Sequence, residues 1–328
     1  MINIKKLFKI STVSVIILMG TASSVYAEKL RLGHVTPPSH IWHQVSERFN
    51  DNLKEASNSK DSIMIFPLSK LGGDDQMIDL LQSGALQLAV LTAGSLSNRS
   101  EAINAWFLPY LFKDVEDAAI ATQSEGAQKI LADLKDHKLI GLGYTLAGMR
   151  HVISSAPINS VNDFKGKKIR SFPNQVFNAW WSDLGAAPTA LSIGDVSSAL
   201  TTNLLDGVDV DLDIVVGLKM YQQAPYLTMT NHMAFPGIVV ASEKWWNKLS
   251  DEKRAMVLLA FKEAEEWGYK QQIAAEVSNL ELLDKAGVTI NYMDSEKLHE
   301  VGRNIVSKYT EKNSETLEFV NQIYKEIN

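Results

Sequence analysis

Arg170 stands in Lys165-Gly-Lys-Lys-Ile-Arg-Ser-Phe-Pro-Asn174, where a Gly turn and two lysines precede apolar Ile169. The pattern predicts a short strand that stops at Phe172-Pro173-Asn174 and hands over to a helix carrying Val176 to Leu184. A guanidinium at such a junction can stand at the mouth of a cleft with a helix N-terminus beside it. Both features favour an anion, and the planar fork of Arg matches a carboxylate through two parallel bonds. Next to two lysines, the same residue also reads as ordinary surface charge.

Other polar clusters admit more than one chemistry. His34, His40 and His43 invite a metal, but no acid completes the helical His-Glu-x-x-His spacing, and Pro37-Pro38 interrupts the segment. They read as polar cleft or surface histidines. His34 is a binding candidate because it ends the first strand of a parallel sheet, where ligands gather. Asp206-Gly-Val-Asp-Val-Asp-Leu-Asp213 is no calcium loop, since its glycine precedes the acidic run and apolar residues interleave. As a strand it presents Asp209, Asp211 and Asp213 on one face. That face is open to three readings: solvated surface, cleft acids for ligand hydroxyls or an amine, or a cation site.

Catalytic motifs are missing. Gly141-Leu-Gly143 lacks the third glycine of a dinucleotide site, and no Gly-x-Ser-x-Gly elbow, triad or paired-carboxylate motif occurs. Trp180-Trp181 and Trp245-Trp246 read as core anchors. Neither an enzyme nor a cofactor is expected.

The elements that must hold these groups alternate in type. Lys29 to His34 alternates like a strand. His40 to Leu53 is apolar at helical spacing, Ser62 to Phe66 is a second strand, Asp74 to Gln82 a helix, and Leu86 to Leu91 a third strand, with Thr92 just beyond it as a further binding candidate. Strands separated by helix-length spacers imply βαβ units and an α/β fold with largely parallel pairing. Asp195 to Val210 loosely echoes Asp75 to Val90, with Asn203 and Gly84 each at the left-handed position after a helix. This suggests two lobes. From Ser250 to about Gly287 runs one long helical pattern, about 50 Å if unbroken, long enough to brace both lobes, or two helices broken near Gly268.

Lys5, Lys6 and Lys9, an apolar run from Val13 to Met19, and Val25-Tyr26-Ala27 form a signal-peptide pattern, predicting residues 1–27 as removed and Glu28 as the mature start in the periplasm. The 328 residues contain no cysteine, which excludes a disulfide framework, a thiolate zinc site, a Cys nucleophile and a lipid-modified Cys. A net charge of −6 with mixed signs argues against nucleic acid or anionic lipid as a partner. No stable membrane insertion is expected.

The string Gly148-Met-Arg150, Pro157-Ile158, Asp163 to Arg170, Leu184-Gly-Ala-Ala-Pro-Thr189, Asp195-Val196, Ala199-Leu200 and Asp206-Gly207 resembles the extracytoplasmic solute-binding proteins of TRAP transporters, of the DctP type. Gly33-His-Val35, Leu71-Gly-Gly-Asp74, Leu108-Pro-Tyr110 and Ser242 to Trp246 extend the likeness over essentially the whole mature chain. The resemblance implies a two-lobed periplasmic binding protein, each lobe a mixed or mostly parallel sheet flanked by helices, spanned by a long helix. Residues 28–147 with about 236–275 would form one lobe, and 148–235 with about 276–328 the other. It implies a monomer that closes on a small organic acid and delivers it to a small and a large membrane permease subunit.

By the same resemblance Arg170 makes the salt bridge to the ligand carboxylate and Arg150 assists. Phe172, Asn174, Leu191 and Ile193 fall at pocket-wall positions. The chain departs from the family after Asp206-Gly207: Asp209 fits, but Val210 and Asp211 follow and the usual Pro is missing. Val210 would make that wall apolar, while Asp211 could bind hydroxyls. Rival readings are a sensor docking to a signalling receptor, a binding protein for an ATP-driven importer, and a secreted hydrolase or lyase using His34 with Asp211.

Overall fold

The computed structural model describes residues 28–327, so the expected signal segment lies outside the described residues. β1 (Glu28–Gly33), β2 (Asp61–Phe66) and β3 (Leu88–Thr92) run parallel, joined by the helices Ile41–Ala56 and Asp74–Ser83. β4 (Leu139–Met149) ends one residue before β5 (His151–Ser154), and in that single step the chain changes sheet. β6 (Lys168–Ser171), β7 (Ala187–Ala190), β8 (Gly207–Val210) and β9 (Tyr226–Met229) fill the second sheet. β10 (Ala234–Ser242) returns to the first, antiparallel between β3 and β4. β11 (Thr289–Tyr292) joins the second, parallel to β9. The orders are β2-β1-β3-β10-β4 and β11-β9-β5-β8-β6-β7. Both sheets are mixed: each parallel set is completed by strands of opposite sense where the chain crosses between lobes.

The two strand crossings lie side by side. The Arg150 amide donates to the Met233 carbonyl at 2.8 Å, and the His232 amide to the Arg150 carbonyl at 3.3 Å. The third crossing is the helix Asp251–Lys285, unbroken over 35 residues and about 50 Å long. Ser250 caps its start, accepting from the Lys253 amide, and Gly287 follows its end at φ 82°. Gly268 is no break. A Cβ there would stand 2.4 Å from Val45 Cγ2, so the glycine lets the long helix press onto the helix Ile41–Ala56.

Two apolar clusters fill the molecule. The larger surrounds the first sheet and reaches Trp180 and Trp181, and the smaller flanks the second around Ile153, Val208 and Leu227. Trp180, Trp181, Trp245 and Trp246 are all buried, as the core reading predicts. The tail divides differently from the sequence expectation. Although β11 belongs to the second sheet, the last helix, Ser314–Ile327, packs on the first lobe. Its Phe319 ring meets Trp106 at 5.2 Å, and Gln322 accepts from the Gly126 amide at 2.7 Å. Its apolar face carries Phe319, Val320 and Ile323, and the core that receives it is the larger one.

Candidate functional site

A cavity of about 370 Å³ opens between the lobes, within the ~300–1,000 Å³ usual for small-molecule sites. Arg170, in β6 between Thr189 and Val208 on its neighbours, points from the second lobe into it. It is 3 % exposed, its Nε donates to the Leu191 carbonyl at 3.0 Å, and its guanidinium carbon stands 4.3 Å from the Phe172 ring centre. Among the described residues it forms no ion pair. Burial, then the charge of Arg150, draws its pKa down to about 10, against the pull of Asp209 and Asp211. A buried cation without a counter-ion costs several kcal/mol of lost hydration. The fork beyond Nε has no hydrogen-bond partner among the described residues.

Arg150 looks similar in sequence and is held differently. It is the residue between β4 and β5, 1 % exposed. Its Nε donates to Asp209 Oδ1 at 2.7 Å, Nη1 to Asp211 Oδ2 at 3.0 Å, and Nη2 to the Asp209 carbonyl. Of five N–H donors, these bonds use three. Burial alone would raise the pKa of Asp209. Arg150 and His232 overrule it, with bonds from His232 at 3.4 Å and Trp181 at 2.9 Å, and hold the carboxyl well below its usual range. Asp211 follows the same logic: burial pushes upward, while His40 and Arg150 hold it below the ordinary value.

The acidic run is therefore not a solvated strand face. β8 stops at Val210, and Asp211 caps the next helix, Leu212–Gly217, accepting from the Ile214 amide at 2.9 Å. Asp209, Asp211 and Asp213 are 0, 2 and 8 % exposed. Asp213 reaches across the cleft, accepting from the Ile41 amide at 3.1 Å and from Asn279. Among the described residues no group of three His, Cys, Asp or Glu is placed to hold a metal ion.

Seven of the nine sequence candidates line the cavity: Arg170, Arg150, Phe172, Val210, Asp211, Ile193 and Thr92. The other two stand behind it. His34 lies buried under the wall, its Nε2 2.9 Å from His43 Nδ1 and its Nδ1 2.9 Å from the Thr36 hydroxyl. Burial, then the charges of His43 and His40, lower its pKa to about 3, so it is neutral at physiological pH. Asn174 caps the helix Gln175–Asp183, accepting from the Val176 and Phe177 amides at 2.8 and 3.2 Å. Its Nδ2 donates across the lobes to Ser97 and Asn104 at 2.9 and 2.7 Å. The strand-to-helix handover that made Asn174 a candidate is the reason its side chain is occupied.

Two α/β lobes, crossed more than once by the chain and spanned by a long helix, are the features that the sequence likeness implied. Residues 32–313 match the model of the bacterial extracellular solute-binding proteins, family 7. The chain belongs to this family. As a family 7 binding protein it is 28 % identical over 311 residues to the sialic acid-binding periplasmic protein SiaP of Vibrio cholerae, covering 90 % of this chain and 97 % of that one. It is 24 % identical over 297 residues to the C4-dicarboxylate-binding periplasmic protein DctP of Shewanella loihica, covering 90 % and 88 %. Its structure superposes with a TM-score of 0.86 on the sugar acid binding protein DctPAm of Advenella mimigardefordensis in complex with galactonate, 25 % identical, covering 92 % of this chain and 99 % of that one. The family is one of solute-binding proteins and not of enzymes.

The structure also brings to the cavity wall residues that were not among the binding candidates of the sequence. His40 caps the helix Ile41–Ala56 through Nδ1, which accepts from the Trp42 amide at 3.1 Å, and turns Nε2 to within 3.5 Å of Asp211. Phe235 lies under Arg150, 4.4 Å from its guanidinium carbon. Asp74 and Ser95 join Thr92 on the first-lobe wall. The string Leu71-Gly-Gly-Asp74 was the available signal for Asp74; nothing in sequence distinguished His40 from its two neighbours.

Proposed function

We propose that this protein is exported to the periplasm, captures a small organic acid by its carboxylate at Arg170, and delivers it to the membrane permease of a TRAP-type transporter. The observation that carries the reading is the buried guanidinium of Arg170, open at its fork and without a carboxylate partner. An entering carboxylate supplies the missing charge in a site where water no longer screens it. Closure accompanies binding because the cavity takes residues from both lobes, and a ligand shifts a conformational equilibrium only through contacts that differ between its states. Three links already run between the lobes: His40 to Asp211, the Ile41 amide to Asp213, and Asn174 to Ser97 and Asn104. The signal pattern of residues 1–27 supports export. Among the described residues no helix is long and apolar enough to cross a membrane.

The test is a thermal-shift screen of organic acids on the purified protein, since a ligand that binds only the folded state raises its midpoint. Acids should raise it, and Arg170→Ala should abolish the rise. Neutral ligands giving the largest shifts, unaffected by that substitution, would sink the proposal.

A further inference from the structure

Most polar side chains that line the cavity are bonded inward, to the protein itself. On the second-lobe side Ser192 donates to Asp195 at 2.5 Å, and Asp211 accepts from Arg150 and from the Ile214 amide. The first-lobe wall is bonded in the same way. Thr92 and Ser95 donate to Asp74 at 2.6 Å each, the Thr36 hydroxyl lies 2.9 Å from His34 Nδ1, and Gln76 accepts from the Gly73 amide at 3.0 Å. What the second lobe sets around Arg170 is apolar: Phe172, Leu191, Ile193, Val210 and Ile214 line the cavity there. Leu191 and Ile193 pack against the smaller core and are only half-buried, so the fold leaves part of their apolar surface uncovered. An apolar group laid on that surface gains by leaving water. A hydroxyl laid on it gives up its bonds to water and finds no side chain to replace them. Nor does the cavity hold a place for a second anion. Arg150 and Arg170 are the only Lys or Arg residues lining it among the described residues, and Arg150 is already paired with Asp209 and Asp211.

We infer that the ligand is a monocarboxylic acid with an apolar body, aliphatic or aromatic, whose carbon skeleton covers Leu191 and Ile193 while its carboxylate takes Arg170. The inference deepens the proposed function and rests on the carboxylate sitting at Arg170. It sets this chain apart from the relatives named for sugar acids, sialic acid or C4-dicarboxylates, and it assigns the difference to the apolar wall beside the arginine.

Calorimetry on the purified protein with four acids tests it: hexanoate, phenylacetate, galactonate and adipate. Hexanoate or phenylacetate should bind about tenfold or more tighter than galactonate and adipate, within the range over which an apolar pocket discriminates. Whichever of the two binds tighter identifies the body as aliphatic or aromatic. Ile193→Ser should weaken that acid by about fivefold or more and leave galactonate unchanged. Ile193→Val, which keeps an apolar surface, should hold within about twofold of the parent and shows that the loss is not a folding defect. Galactonate or adipate binding as tightly as the better apolar acid overturns the inference and leaves the Arg170 reading standing. So does Ile193→Ser leaving that acid unaffected, or weakening galactonate equally. If none of the four binds, or if binding survives Arg170→Ala undiminished, both fall.

Discussion

Arg150 and Arg170 are both buried in the wall of one cavity, each beside the Phe172 ring, and their surroundings could hardly differ more. Arg150 sits where the chain passes between sheets and is bonded to two carboxylates and a carbonyl. Arg170 sits at a strand end, with one carbonyl bond and no acid. Exposure is nearly the same for the two, so burial does not distinguish a paired cation from an unpaired one. The count of internal partners does. Arg150 completes the fold, tying the hinge to β8 and the helix Leu212–Gly217, whereas Arg170 has no acid partner among the described residues.

The largest expected effect follows from removing the completed partner. Arg150→Ala leaves Asp209 and Asp211 buried without their cation, which costs about 3–5 kcal/mol in comparable pairs. A clear fall in the denaturation midpoint checks it, and an unchanged midpoint would dissolve the contrast between the two arginines. Arg170→Ala is the converse. It removes an uncompensated charge, so the ligand-free midpoint should hold or rise, while affinity falls by at least ~3 kcal/mol, more than a hundredfold, as the bound carboxylate loses its partner. Calorimetry beside a thermal melt reads both. Arg170→Lys should recover little of the affinity, because an ammonium cannot reproduce the planar fork.

The contrast was only half legible in the chain. Alternation of strand and helix spacing gave the lobes, because periodicity survives whatever the partners are. A strand end before Pro173 and a helix start are local signals that made Arg170 a candidate, while surface charge remained an equal reading until the family resemblance gave it a role. The fate of Asp209, Asp211 and Asp213 was not local. Their period-2 spacing runs straight through the end of β8 into a capping position, and the cap depends on the helix that follows. That Arg150 would find two of them required the β5–β8 pairing, a contact of 59 residues in sequence separation. The histidines failed for the same reason: the strand end singled out His34, yet only the packing of helix Ile41–Ala56 turns His40 toward the cleft. Asn174 shows the opposite error. An Asn before a helix announces a cap, and cap chemistry left no atom for the pocket wall.

Asn174 now sharpens the comparison at a smaller scale. Asn174→Ala loses the cap and the bonds to Ser97 and Asn104 together, at a cost of about 1–2 kcal/mol. Because the side chain does not line the cavity, part of that loss falls on the closed state alone. Affinities for different acids should therefore drop by one common factor, unlike the selective loss from a wall residue. Calorimetry with two unrelated ligands decides; unequal losses would return Asn174 to the pocket.

The smallest expected effect lies beside Arg150 at the hinge. Glu276, on the long helix, accepts from Gln272 at 3.1 Å. Burial first, with Asp211 and Asp213 behind it, pushes its pKa from 4.5 up to about 8, against bonds from Gln272 and the Met149 amide. Between those two values the folded protein keeps a proton that the unfolded chain has released, so this group's contribution is complete below pH 4.5 and is lost as pH rises toward 8. His34 and His151 act from the other side. Burial lowers both from 6.5 to about 3, so their contribution is complete above 6.5 and is lost as pH falls toward 3. Arg170, drawn down only to about 10, keeps its proton throughout this range, so an alkaline slope in stability there does not report that cation. Glu276→Gln should flatten that slope, raising the midpoint at pH 8 relative to the parent while leaving the acid limb, to which the histidines and the lowered carboxyls of Asp209 and Asp211 contribute, unchanged. Melts across the pH range would show it, and an alkaline limb identical in both proteins would move the titrating group elsewhere.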